Sequence, residues 1–216
     1  MGFLEYLLQR WDHLLELTIA HAQIVFISVL IATVIGVALG VLTYRNDAAM
    51  GLALSVTGVF VTIPSFALFG LFIPILGIGA PPALVALVMY ALLPIVRNTI
   101  VGLRSVDSAI TESAQGMGMG RWQRLLRIEL PLAWPVIIAG VRVSTLLIMG
   151  IAAIAAVVNG PGLGEDIFAG LARIGTDQAL DLVLSATLGI VVLALIFDGA
   201  LALVGRFTTS GGLKND

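Results

Sequence analysis

The 216-residue chain has no cysteine, which excludes disulfide bonds and thiolate metal sites. Charge is scarce as well. Only 11% of residues are Asp, Glu, Lys or Arg, against about 25% in soluble domains. The net charge of −2 gives no basic excess with which to hold a nucleic acid. The two histidines, His13 and His21, have no second ligand cluster beside them, and read as interfacial polar residues rather than as a metal site. No His-Glu-x-x-His, Gly-x-Ser-x-Gly or intramembrane aspartate pair is present, so an intramembrane enzyme lacks its parts. The glycines at 116, 118 and 120, and again at 160, 162 and 164, follow no strand and precede no Lys-Ser/Thr. They read as turns, not as a phosphate cradle.

What fills the chain instead is apolar: 59% hydrophobic residues and a mean hydropathy of +1.09, the composition of an integral membrane protein. The first hydrophobic run, from Thr18 past Leu42, is too long for a signal-peptide core. Five runs reach the length that a core of ~30 Å requires at ~1.5 Å per residue. They fall at about 19–43, 50–76, 83–102, 132–158 and 180–204. The fold class expected is therefore all-α, with five transmembrane helices over 19–206 and a tail at 207–216. Residues 3–17 repeat Leu4, Leu7, Leu8, Trp11, Leu14 and Leu15 at helical spacing. That pattern predicts an amphipathic helix over 1–18 lying against membrane lipid, with Trp11 as its anchor.

Basic residues set the orientation. Arg45, Arg104, Arg121, Arg124, Arg127, Arg206 and Lys214 share one side, and only Arg10 and Arg173 lie on the other. This bias predicts the N-terminus outside and the C-terminus inside. Within the spans, Gly36 and Gly40 form a close-packing face between helices. Pro64, in Thr62-Ile-Pro-Ser65, should kink the second span, with Thr62 and Ser65 bonding the carbonyls it frees. Arg142 lies about ten residues, or ~15 Å at helical rise, into the fourth span, a depth at which a charge must face a partner or water. Two readings of it are open: a role in a translocation pathway with Thr62, Pro64 and Ser65, or a structural pairing with Asp198.

The longest polar interval, Glu112 to Pro131, lies on the arginine-rich side. Asp107 can cap a helix at 108–115, the glycines at 116, 118 and 120 turn the chain, and a second helix is expected at 121–129. At α-helical spacing that helix carries Arg121, Arg124 and Arg127 on one side, and Trp122, Leu125, Leu126 and Glu129 on the other. Pro131 is expected to stop it.

Glu112-Ser113-Ala114, then Gly118, then Ile128-x-Leu130-Pro131 resembles the EAA loop of bacterial ABC-importer permeases, with matching spacing and Ser113 as a small-for-small departure. Thr62-Ile-Pro-Ser65, Tyr90-Ala-Leu-Leu-Pro-Ile-Val-Arg-Asn-Thr99, Gly116-Met-Gly-Met119 and Gly162-Leu-Gly164 are similar to the permeases that import glycine betaine, choline and carnitine. Pro161, where relatives usually have glycine, and Ser108, where many have proline, depart from that pattern. The resemblance implies a MetI-like permease in the bacterial inner membrane, non-catalytic and without a cofactor of its own. It implies that loop 103–131 docks on a cytoplasmic ATPase dimer that holds ATP and magnesium. Glu112, Ser113, Ala114, Gly118, Ile128, Leu130 and Pro131 would carry the coupling. A second permease subunit, the same or a paralogue, would complete the pathway. An external binding protein would deliver substrate to loops 77–82 and 159–179. An importer for methionine or an ergothioneine-like thione remains an alternative; a secondary transporter fits less well.

Overall fold

The computed structural model describes residues 3–208, and the chain there is helical with no strand among the described residues. A short helix α1 (Phe3–Gln9) is followed by α2 (Trp11–Thr43), α3 (Asp47–Thr62), α4 (Ser65–Leu76) and α5 (Ala80–Arg104). The polar interval holds α6 (Ser108–Gly116) and α7 (Arg121–Arg124), then a π-turn (Leu125–Glu129) leading into α8 (Leu130–Ile154). A 3₁₀ turn (Ala155–Val158), α9 (Gly164–Leu171) and α10 (Asp177–Thr208) complete it. The tail from 209 onward, with Lys214 of the charge count, lies outside the described residues.

Helix α5 is the central element, packed most extensively against α2 and α8. Its inward residues Ala83, Leu87, Ala91 and Ile95 are fully buried, whereas α10 keeps Leu184, Leu188, Val192 and Leu195 exposed as a lipid-facing stripe would be. Because lipid is as apolar as leucine, helices in a bilayer associate through close packing and hydrogen bonds rather than through apolar burial. Both devices are present. A Cβ on Gly36 would lie 2.7 Å from Ile95 Cγ2, and one on Gly40 would lie 2.5 Å from Thr99 Cγ2. The small-residue face read from the sequence is thus the α2–α5 seam. Between α8 and α5, the Ser144 hydroxyl donates to the Ala91 carbonyl at 2.7 Å.

Among the described residues four helices are long and apolar enough to cross a membrane, and the expected 50–76 span is a bent pair, α3 and α4 meeting at 98°. The residue before a proline is driven out of the helical region. Ile63 accordingly sits at φ −71°, ψ 130°, which turns a kink into a corner. Thr62 bonds back to the Val59 carbonyl at 2.7 Å, one residue before the Phe60 carbonyl, which loses its i+4 donor at Pro64. Ser65 makes no such bond among the described residues; Tyr90 of α5 donates its hydroxyl to the Ile63 carbonyl instead.

Two expectations for the N-terminal region are corrected. The amphipathic segment is not one helix: α1 ends at Gln9, Arg10 leaves the helical region at ψ 17°, and from Trp11 the chain already belongs to α2. Nor is His21 interfacial. It is fully buried, with its Nε2 3.1 Å from the Met149 carbonyl of α8. His13, one face-repeat earlier, sits 2.9 Å from Asp166 of α9. That short helix, in the 159–179 segment, was not anticipated.

Candidate functional site

The polar loop builds outward from α6. Asp107 accepts from the Ala109 amide at 2.9 Å, satisfying one of the free donors at the helix start. At the other end Met119 N bonds Ala114 O at 3.1 Å, and Gly118 N bonds Gln115 O at 2.9 Å. This closure puts Gly118 at φ +85°, a conformation glycine adopts without a Cβ penalty. Of the motif residues, Ala114 is buried, while Glu112, Ser113 and Gly118 are exposed. Beside them stand exposed apolar side chains: Ile110, Met117, Trp122 and Leu126. Exposed apolar side chains on an otherwise polar loop fit contact with a partner or with the membrane surface.

The second helix departs from its reading. Pro131 does not stop it: residues 121–158 form one uninterrupted helical stretch. Proline is tolerated in the first turn of a helix because the amide it lacks would be unpaired there. Here Pro131 opens α8 directly behind the π-turn, where Leu130 N still bonds Leu125 O. Ile128 and Leu130 are half-buried at this junction and Pro131 is exposed.

The π-turn also moves Glu129. In an α-helix, residues five apart lie about 140° around the axis, which placed Glu129 opposite the arginine stripe. The wider i→i+5 turn brings it back over Arg124, whose Nε donates to Glu129 Oε1 at 2.9 Å. Tyr44 donates its hydroxyl to Oε2 at 2.6 Å, and Arg45 donates to Oε1 at 2.8 Å. Glu129 is 3% exposed. Burial alone would raise its pKa, yet the hydrogen bonds from Tyr44, Arg124 and Arg45 hold it below the usual carboxylate value. Burial, then the bond to Glu129, pushes the Tyr44 phenol up to about 12. One signal could have revealed this cluster. Glu129 is the sole acidic residue between Glu112 and Glu165, set among three arginines.

The residues read as a translocation pathway are held separately. Thr62 and Pro64 are exposed and Ser65 half-buried at the α3–α4 corner. Arg142 on α8 donates to Asp198 on α10 through Nε at 2.8 Å and Nη2 at 2.7 Å. The pairing expected as one of two readings is therefore present. Both side chains keep about a third of their surface exposed, 39% and 30%. Arg142 also lines an open groove with Pro135, Ile138, Ala139 and Arg206.

Residues 32–210 match the family described as binding-protein-dependent transport system inner membrane component. The chain belongs to this family. The permease is 38% identical to the osmoprotectant import permease protein OsmW of Salmonella typhimurium over 219 residues, covering 99% of this chain and 100% of that one. It is 36% identical to the glycine betaine/carnitine/choline transport system permease protein OpuCB of Bacillus subtilis, covering 97% and 94%. A chain of the inward-facing MetNI methionine ABC transporter superposes with a TM-score of 0.80 at 22% identity, over 91% of the permease and 96% of that chain. That likeness establishes the MetI-like fold. The permease is thus a multi-pass inner-membrane component of a binding-protein-dependent system.

Proposed function

We propose that this permease supplies half of the transmembrane pathway of an ATP-driven importer for quaternary-amine osmoprotectants such as glycine betaine, choline and carnitine. The observation that carries this reading is the match, nearly end to end, to one permease named for glycine betaine, carnitine and choline and one named for osmoprotectants, at 36–38% identity. The exposed α6 face supports the coupling role. Glu112, Ser113 and Gly118, with the apolar rim around them, would sit in a surface groove of a separate ATPase, one loop per ATPase of the dimer. Ala114 would set the depth of α6, and Ile128, Leu130 and Pro131 the junction with α8.

In this reading the chain is non-catalytic, and ATP and magnesium belong to the ATPase. Its loop side faces the cytoplasm, N-terminus outside and C-terminus inside, following the arginine bias. A second permease subunit faces the first across the pathway, to which Thr62, Pro64, Ser65 and Arg142 would contribute. A binding protein would recognise the cationic amine, by cation–π contact for instance, and dock on 77–82 and 159–179. The first segment is tied to the residue just before the second, the Gly79 amide bonding the Val158 carbonyl at 2.7 Å. ATPase closure would then switch the spans between inward- and outward-facing packings.

The test is uptake of labelled glycine betaine into liposomes carrying permease, ATPase and binding protein. Accumulation that needs ATP, and is indifferent to collapse of ion gradients, supports the importer. Accumulation driven by a gradient without ATP sinks it.

A further inference from the structure

The Glu129 cluster joins more than its own helix. On one side Arg124, besides bonding Glu129, donates through Nη1 to the Gln115 side-chain oxygen at 3.0 Å, and Gln115 belongs to α6. On the other side Tyr44 and Arg45 follow immediately on the end of α2. The Tyr44 carbonyl accepts from Arg104 Nε at 2.7 Å, and Arg104 also reaches Asp47 at the start of α3. Hydrogen bonds therefore run unbroken from α6 through Arg124 and Glu129 to the ends of α2 and α5 and the first turn of α3.

The middle of this chain is buried and its ends are exposed. A buried carboxylate held by three donors has no water to exchange them for, so its partners stay fixed relative to one another. The π-turn is what lets one residue face both Arg124 and the end of α2. Glu129 also sits at the α7–α8 junction, bonded to the two residues that follow α2, whereas α6 connects to α7 along the chain through the Met117–Gly120 turn.

We propose that Glu129 is a positioning residue for transport. It ties the docking helix α6, through Arg124 and Gln115, to the ends of α2, α3 and α5, so that a displacement of α6 is imposed on the spans. This rests on the importer reading above, and goes beyond it by naming the path from docking face to bundle. Interaction networks carry coupling only where a perturbation proves it, and Gln115 offers one that leaves all three Glu129 contacts in place.

The experiment uses the complete transporter in liposomes, reading glycine betaine taken up per ATP hydrolysed at matched amounts of inserted permease. For Gln115→Ala the ratio is expected to fall at least ~5-fold, the lower end of typical coupling between sites. Gln115→Glu keeps an acceptor for Arg124 and is expected to retain the wild-type ratio. An unchanged ratio in Gln115→Ala overturns the proposal. So does a Gln115→Glu variant as impaired as the alanine one, because the acceptor would then be irrelevant. Absence of ATP-driven uptake in the wild-type complex sinks the importer reading and this proposal with it. A transporting wild type with an unaffected Gln115→Ala sinks this proposal alone.

Discussion

Arg142 and Asp198 face each other across α8 and α10 in a two-point, fork-to-carboxylate contact, 2.8 and 2.7 Å. Such bidentate geometry is the strongest form of the pair, and it satisfies both charges at a depth where neither is affordable alone. Their partial exposure toward a groove leaves room for a second role. Arg142→Ala is expected to cost about 2 kcal/mol in stability, as for loss of a hydrogen bond to a charged group, and to lower transport more than abundance. Arg142→Met with Asp198→Leu should recover abundance but not transport. Membrane immunoblots beside uptake assays check this, and full transport by the double variant would reduce the pair to a structural tie.

Gly118 separates backbone from surface. Nothing in the chain lies within 4 Å of where its Cβ would stand, so Gly118→Ala meets only the left-handed strain, about 1–2 kcal/mol. Gly118→Asp adds bulk and charge that only a docked partner would feel. We expect both variants to insert at wild-type levels, alanine to retain most uptake and aspartate to abolish it. Normal uptake by Gly118→Asp at wild-type abundance would remove this turn from the docking face.

At the α2–α5 seam the argument is steric. Gly40→Val would drive side-chain atoms into Thr99, and overpacking of this kind costs about 1–3 kcal/mol. The detergent-solubilised variant should lose thermal stability measurably, as followed by aggregation in size-exclusion chromatography. Gly51→Val, whose Cβ meets nothing within 4 Å, is the control that should not.

Glu129 predicts an acid sensitivity. Its folded pKa is held below the ordinary value of 4.5, so its ionised contacts stabilise the fold above that value. The stabilisation is lost as pH falls through the lowered folded pKa, when the carboxylate is protonated. Wild type should therefore lose more stability than Glu129→Gln between neutral pH and the acid side of 4.5. Parallel melting curves for the two proteins would reveal an identical pH dependence if the carboxylate were uncoupled.

Long hydropathic runs made most of the spans legible, and the break at Pro64, the small-residue face of α2 and the α6 boundaries were each readable from local chemistry, though not that the break is a corner or that α5 is the partner of that face. What escaped shares a cause. Helical-wheel reading assumes ~100° per residue, and the π-turn at Leu125–Glu129 violates it, so Glu129 was assigned to the wrong side. Tyr90 on Ile63 and His21 on Met149 join residues 27 and 128 positions apart, pairings that no local pattern encodes. Helix α9 was hidden in a segment whose glycines and proline read as a turn.

The uninterrupted helix from Arg121 to Val158 makes the permease a lever. Its 38 residues span ~57 Å at helical rise, so a tilt of about 10° around the midpoint would swing each end ~5 Å, in opposite directions. The end beside the docking helix and the end that carries Val158, bonded to Gly79 on the far loops, are thus mechanically opposed. A push at one face would arrive at the other inverted, which is the geometry needed to shut one mouth of a pore while opening the second.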